Sequence, residues 1–155
     1  YGSDFISVVP ANTFGPGDDF GENNSHVISA LMGKIHKAKM TGSESVNIWG
    51  TGTPKREFIF VDDFVDACIF VMEQYGGYGP INVGSGIVKS ISEVGEEIRK
   101  TIGYKGKLIY DHSRPDGMLE KTLNSEEIFG IGWTPKYTFN EAIKKTYDWY
   151  RTTLD

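Results

Sequence analysis

Ser25-His26-Val27 stands where a loop rich in Gly, Asp and Asn gives way to a helix-periodic apolar stretch. The positive end of a helix dipole disfavours the imidazolium, so a histidine there exchanges protons near neutral pH. General acid–base catalysis requires such a group. A plain cap or a surface histidine fits the same spot. Arg56 follows the turn-rich run Gly50-Thr51-Gly52-Thr53-Pro54-Lys55 and enters a strand. A guanidinium fixed there can grip a diphosphate through paired hydrogen bonds. Beside Glu57 it can equally form a surface ion pair. Trp49 reads as core or as a ligand contact. Asp116 and Lys121 lie in a polar loop, the kind of segment that often holds binding residues. Asn12 follows directly on the first apolar strand, where open α/β sheets place ligands; a Pro-x-Asn turn is also an ordinary structural device.

These residues need elements to position them. Phe5–Val9, closed by Pro10, predicts a buried strand. Residues 11–24 read as loop. A helix is expected from about Ser25, as N-cap, to Met40, with Ile28, Leu31, Ile35 and Ala38 on one face and Gly42 as its stop. Strands are expected at Val46–Trp49 and Glu57–Val61. A second helix, about Asp62 to Tyr75, has its main face at Phe64, Val65, Cys68, Met72 and Tyr75. It is apolar nearly all round, which predicts burial on two sides. Pro80–Val83 predicts a brief strand. Ser90-Ile91-Ser92-Glu93 has capping-box form and opens a third helix through Ile91, Val94, Ile98 and Ile102. Leu108–Tyr110 reads as a short strand and Ser125–Phe129 as a short helix. Thr138 and Glu141 repeat the capping-box spacing before a last helix carrying Phe139, Ile143, Tyr147, Tyr150 and Leu154. Strands and helices thus mix through the whole length, an α/β or α+β pattern.

The 155 residues suffice for one domain. A net charge of −5 opposes nucleic-acid binding, which calls for a basic face. Cys68 is the only cysteine, so no intrachain disulfide forms, and nothing suggests a metal site. No apolar run is long enough for a membrane helix and no signal peptide opens the chain, so a cytoplasmic location is the default expectation. Tyr1-Gly2-Ser3-Asp4 leads at once into the first strand, without an initiator Met, which reads as a fragment. The strands at Phe5 and Pro80 have the apolar character of parallel strands in a larger sheet, so their edges are expected to seek a partner by self-association.

Several segments carry a family resemblance over essentially the whole chain. Pro10-Ala11-Asn12-Thr13-Phe14-Gly15-Pro16 resembles the Pro-x-Asn-x-Tyr/Phe-Gly-Pro segment of the extended short-chain dehydrogenase/reductases that act on nucleotide sugars. Asn23-Asn24-Ser25-His26-Val27 and Trp49-Gly50-Thr51-Gly52-Thr53-Pro54-Lys55-Arg56-Glu57-Phe58 are similar to its 3,5-epimerase/4-reductase branch. So is Pro115-Asp116-Gly117 followed by Lys121. Val61-Asp62-Asp63 and Ile81-Asn82-Val83-Gly84 are common to the wider group. The resemblance implies the carboxy-terminal half of a Rossmann-type enzyme: the last strands of its parallel sheet plus a small α/β substrate-binding domain, all within 1–155. It implies NADP as cofactor, with Pro10, Ala11, Asn12 and Thr13 along the nicotinamide end and His26 beside them as proton donor. It implies a GDP-sugar substrate, GDP-4-keto-6-deoxymannose, held by Lys34, Trp49, Arg56, Asp116 and Lys121, and a homodimer in the complete enzyme. The family usually has Arg at position 34 and often Asp at 124, where this chain has Lys and Asn.

The chain has no third glycine to complete a dinucleotide fingerprint at Gly50-Thr51-Gly52 or Gly84-Ser85-Gly86, and no Tyr-x-x-x-Lys. The dinucleotide-binding half is therefore expected outside it, and the isolated chain is expected to be inactive. Two further readings stand: a related nucleotide-sugar epimerase or reductase, and a non-catalytic nucleotide-sugar-binding fragment.

Overall fold

A computed structural model of the chain describes residues 5–21 and 25–154; Tyr1–Asp4, and Asn23-Asn24 of the histidine segment, lie outside the described residues. The elements in order are β1 (Ser7–Pro10), β2 (Asn12–Phe14), α1 (Val27–Thr41), β3 (Ser45–Trp49), β4 (Lys55–Phe60), α2 (Val61–Gln74), β5 (Pro80–Val83), β6 (Val88–Ser90), α3 (Ile91–Ile102), β7 (Lys107–Asp111), β8 (Glu120–Lys121), α4 (Glu126–Gly130) and α5 (Phe139–Thr152). This is the expected mixed α/β fold.

β4 is the organising strand. Its second half pairs in parallel with β2, its first half antiparallel with β6, and β8 joins its start in parallel. β3 and β7 form a separate parallel pair, as do β1 and β5. The larger core lies among α1, α3, α5, β3 and β4, where Ile28, Met32, Ile35, Ile98 and Ile143 are at most 1% exposed. α3 and α5 each open with a complete capping box, Ser90 with Glu93 and Thr138 with Glu141. The N-terminal amides that a helix cannot satisfy internally are met there. Gly42 and Gly103 end α1 and α3 in the left-handed conformation. A smaller core lies where β1, β5, α2 and α4 meet, around Ile59, Val71, Ile81, Val83 and Ile128.

Four expectations change. The first strand starts at Ser7 and runs through Pro10, and it is largely exposed, because among the described residues it pairs with β5 alone and no layer covers one of its faces. Residues 12–14, expected as loop, form β2, held by pairing with β4. Ser25 does not cap α1: its hydroxyl donates to the Gly21 carbonyl, and His26 occupies the cap position. α2 buries Asp63, Ala67 and Val71, while Val65, Ile69 and Met72 are exposed. Burial on two sides does not hold for it, and its main face is rotated from the expected one. A helix apolar all round gives no period from which to read the buried stripe. Cys68 is half-buried, and burial pushes its thiol pKa up, as an inert packed cysteine requires.

Candidate functional site

Two clefts adjoin at the start of α1, and Val27 lines both. The first, about 350 Å³, is bounded by Pro10–Phe14, by His26–Ile28, by Lys121–Leu123, and by Glu57 and Phe58 of β4. The second, about 210 Å³, is bounded by Ala30, Leu31 and Lys34 of α1, by Ile48 and Trp49 at the end of β3, by Gly52, Pro54 and Arg56, by Ile91, and by Pro115–Gly117. Pro10, Ala11, Asn12, Thr13 and His26 therefore come together in one cleft, and Lys34, Trp49, Arg56 and Asp116 in the next. Lys121, grouped with the second set by resemblance, lines the first cleft; β8 pairs it in register with Arg56.

His26 is exposed, with extended backbone (φ −66°, ψ 162°). Its carbonyl accepts the first helical hydrogen bond, from Ala30 N at 2.8 Å. Its side chain makes no capping hydrogen bond. The side chain is thus free of capping duty, and the residue lines the first cleft. The loop before it is tied down by Ser29, whose hydroxyl donates to Asp18.

Asn12 donates from its amide to the Glu57 carbonyl at 2.7 Å, which locks β2 to β4 beneath the first cleft. Glu57 does not pair with Arg56. It turns inward, 2% exposed, and accepts from Gly86 N at 2.9 Å and Leu123 N at 2.8 Å. A carboxylate buried with two backbone donors is satisfied, and it draws the segments after β5 and β8 onto β4. Its Oε1 would lie 2.1 Å from a Cβ at position 84, so Gly84 leaves room for it.

Arg56 is thus released from the ion pair its neighbour suggested. It donates from Nη1 to its neighbour's carbonyl, Lys55 O, at 2.6 Å. Among the described residues no carboxylate forms a salt bridge with it. Trp49 is 67% exposed, which rules out the core reading. The Lys34 ammonium lies 5.2 Å from the centre of its ring and the Arg114 guanidinium 5.3 Å. Asp116 is committed: Thr51 donates to it from N at 2.9 Å and from Oγ1 at 2.7 Å. These bonds hold its carboxyl below the usual carboxylate range. Asp116 therefore pins the 115–117 loop to the turn after β3.

Sequence reasoning passed over Glu57 and Arg114. Glu57 stood inside a quoted motif and was weighed only as a partner for Arg56. Arg114 directly precedes Pro115-Asp116-Gly117, a signal that could have found it. Among the described residues no cluster of His, Cys, Asp and Glu could hold a metal ion, and no helix is long and apolar enough to cross a membrane.

A profile of the NAD dependent epimerase/dehydratase family matches residues 1–84. GDP-L-fucose synthase 1 of Arabidopsis thaliana is 45% identical over 150 residues, covering 97% of this chain and 46% of that enzyme. A GDP-L-fucose synthetase from Naegleria fowleri superposes with a TM-score of 0.90 at 32% identity, over 97% of this chain and 46% of that one. A GDP-6-OMe-4-keto-L-xylo-heptose reductase from C. jejuni also reaches 0.90, at 31% identity, over 99% of this chain and 55% of that one. The chain spans about half the length of the curated relatives it matches. By its sequence and its fold, it belongs to the NAD dependent epimerase/dehydratase family.

Proposed function

We propose that this chain supplies the GDP-sugar site and the epimerising acid of an NADP-dependent 3,5-epimerase/4-reductase that converts GDP-4-keto-6-deoxy-D-mannose to GDP-L-fucose. The observation that carries the reading is the placement of His26 at the junction of two clefts, its imidazole free of capping duty. The second cleft suits a nucleoside diphosphate: Lys34 and Arg56 supply cations and Trp49 a flat exposed ring. The first suits the nicotinamide end of the cofactor, being lined by Pro10–Phe14 and by Phe58. The relatives' names support GDP-linked keto sugars, and the Naegleria enzyme has also been solved bound to NADP.

When bound, NADPH supplies the hydride that reduces C4. The chain's own part is to hold the diphosphate, set the sugar across the Val27 boundary, and hand protons to C3 and C5 from His26. Inversion at these carbons passes through enolates: a base, expected in the half outside this chain, takes the proton from one face, and the acid His26 returns a proton on the opposite face. Asp116 acts indirectly, keeping the loop that closes the second cleft in register with Thr51.

The second reading is a GDP-sugar 4-reductase without epimerisation, favoured by the similarity to the heptose reductase. Replacing His26 separates the two. In a polypeptide carrying both halves, His26→Asn keeps a polar residue acceptable at a cap position and removes the proton donor. Deuterium wash-in at C3 and C5 should slow by on the order of 10²–10⁴. Reduction of a 4-keto sugar should continue. Wash-in at the wild-type rate would exclude His26 as the acid. Absence of wash-in in the wild type would favour the reductase.

A further inference from the structure

A broad groove of about 1090 Å³ runs between α1, the end of α3 and α5, and it shares no lining residue with either cleft. Its charge is opposite to that of the chain, whose net charge is −5. Lys39, Lys144 and Arg151 line it with a single carboxylate, Asp148. Among the described residues none of the three cations is held in an ion pair. Lys39 donates to the Ile102 carbonyl at the end of α3, and Arg151 stands in the last turn of α5, where the helix dipole favours a cation. Lys144 lies in mid-helix, where neither reason applies. His36 lies among them, its Nδ1 3.0 Å from the hydroxyl of the buried Tyr147. Burial, then Lys39 and Arg151, push its pKa down. A neutral ring that accepts from Tyr147 keeps its proton on Nε2, a donor with no partner among the described residues. Met40 and Leu154, both exposed, give the groove an apolar rim.

The groove also touches the loop before His26. The His36 ring meets the Tyr150 ring edge to face at 5.5 Å and 81°, and Tyr150 stacks on Phe20 at 4.3 Å and 16°. Gly33 lets that loop lie on α1, since a Cβ there would fall 2.7 Å from the Phe20 carbonyl oxygen. Phe20 adjoins Gly21, whose carbonyl accepts from the Ser25 hydroxyl beside His26. We propose that this groove is an effector site for an organic phosphate, and that its occupancy is felt at His26 through the Tyr150–Phe20 stack. The cations and the Nε2 donor suit phosphate oxygens, and the rim suits the apolar part of the ester. An anion drawn to His36 and Arg151 displaces the ring that rests on Tyr150. Closely packed rings do not move singly, so the change passes along contiguous contacts to the histidine loop. The inference goes beyond the reading of the two clefts and does not depend on the reaction carried out there.

The test uses the three histidines of the chain as reporters: His36 in the groove, His26 at the first cleft and His112 in the loop that leads to the second. Their ring signals, assigned with His26→Gln, His36→Gln and His112→Gln, are followed by NMR while phenyl phosphate or sulfate is titrated into the chain. Phenyl phosphate should shift His36 and His26 with one dissociation constant and leave His112 in place. Lys144→Gln combined with Arg151→Gln changes two exposed residues and should weaken this binding about ten-fold or more. Phe20→Leu keeps an apolar side chain and removes the stack; it should retain the His36 shift and lose that of His26. An unchanged His112 signal in each variant shows that the fold is intact. A shift confined to His112 would place the phosphate in the second cleft and overturn the inference. So would sulfate binding as tightly as phenyl phosphate, the mark of an adventitious ion only, a His26 shift that survives Phe20→Leu, or no shift at all.

Discussion

The two cores are made of the same residue types and end in different states. Around α1, α3 and α5, every layer has a partner: α1 packs on α3, α3 on α5, and Phe14, Phe58 and Phe139 meet within about 6 Å of one another. Under β1 and β5, the packing stops after one layer. Ile81 and Val83 are fully buried, yet Val9 on the neighbouring strand is 40% exposed, and Val65, Ile69 and Met72 give α2 an outer apolar face. Both proposed ligand clefts border the first core. The difference teaches that both clefts can rest on a fully packed side of β4 while, among the described residues, no layer covers the sheet on the other side.

The sharpest way to break this comparison is to empty the finished core. Ile143→Ala in α5 removes a fully buried side chain and should cost about 2–5 kcal/mol. Urea unfolding should show one large shift in midpoint; a loss below 1 kcal/mol would mean that this core is no better packed than the other.

An effect of similar size is expected where the two regions are joined. Glu57→Ala removes the acceptor for Gly86 N and Leu123 N, and each orphaned donor costs about 1–3 kcal/mol. The segments after β5 and β8 should come loose from β4. Hydrogen exchange at Gly86 and Leu123 should accelerate before global unfolding; unchanged protection would place the clamp elsewhere.

The smallest effect on stability belongs to the open face. Ile69→Lys with Met72→Glu should move the unfolding free energy by no more than about 0.5 kcal/mol each, because both positions are exposed. Association should respond more strongly. The wild-type chain is expected to self-associate through its uncovered apolar surface, and the double variant should run smaller on a sizing column. A monomeric wild type at high concentration would show that the exposed face does not drive assembly.

The contrast also explains what could be read from the residues alone. α3 and α5 were legible because a capping box and a period of about 3.6 residues mark them locally, and the structure keeps both. β2, β6 and β8 were not. They are two or three residues long and exist only because β4 offers them backbone partners. The buried stripe of α2 was illegible for another reason: a helix apolar on every side does not say which neighbours this chain contains. At the site, Asn12, His26, Trp49 and Arg56 announced themselves by position, and the structure brings them to two adjoining clefts. The division between those clefts was hidden, so the residues alone did not tell that Lys121 lines the first cleft. The inward turn of Glu57 was hidden too, since its partners lie 29 and 66 residues away.

The contact between Gly50 and the loop after β7 constrains how this protein can vary. Gly50 has φ +81°, and a Cβ there would fall 2.3 Å from Asp116 Oδ1. The carboxylate occupies the volume a side chain would take, and it is held there by Thr51, 65 residues away in sequence. Substitutions at these two positions cannot then be independent. Any side chain at 50 meets both the carboxylate and a backbone angle that disfavours it, so loss of Asp116 must come first, and even that relieves only the first obstacle. Mutational drift through this corner of the cleft has an order, and random libraries that vary 50 and 116 together should recover the Gly–Asp pair far more often than either residue alone.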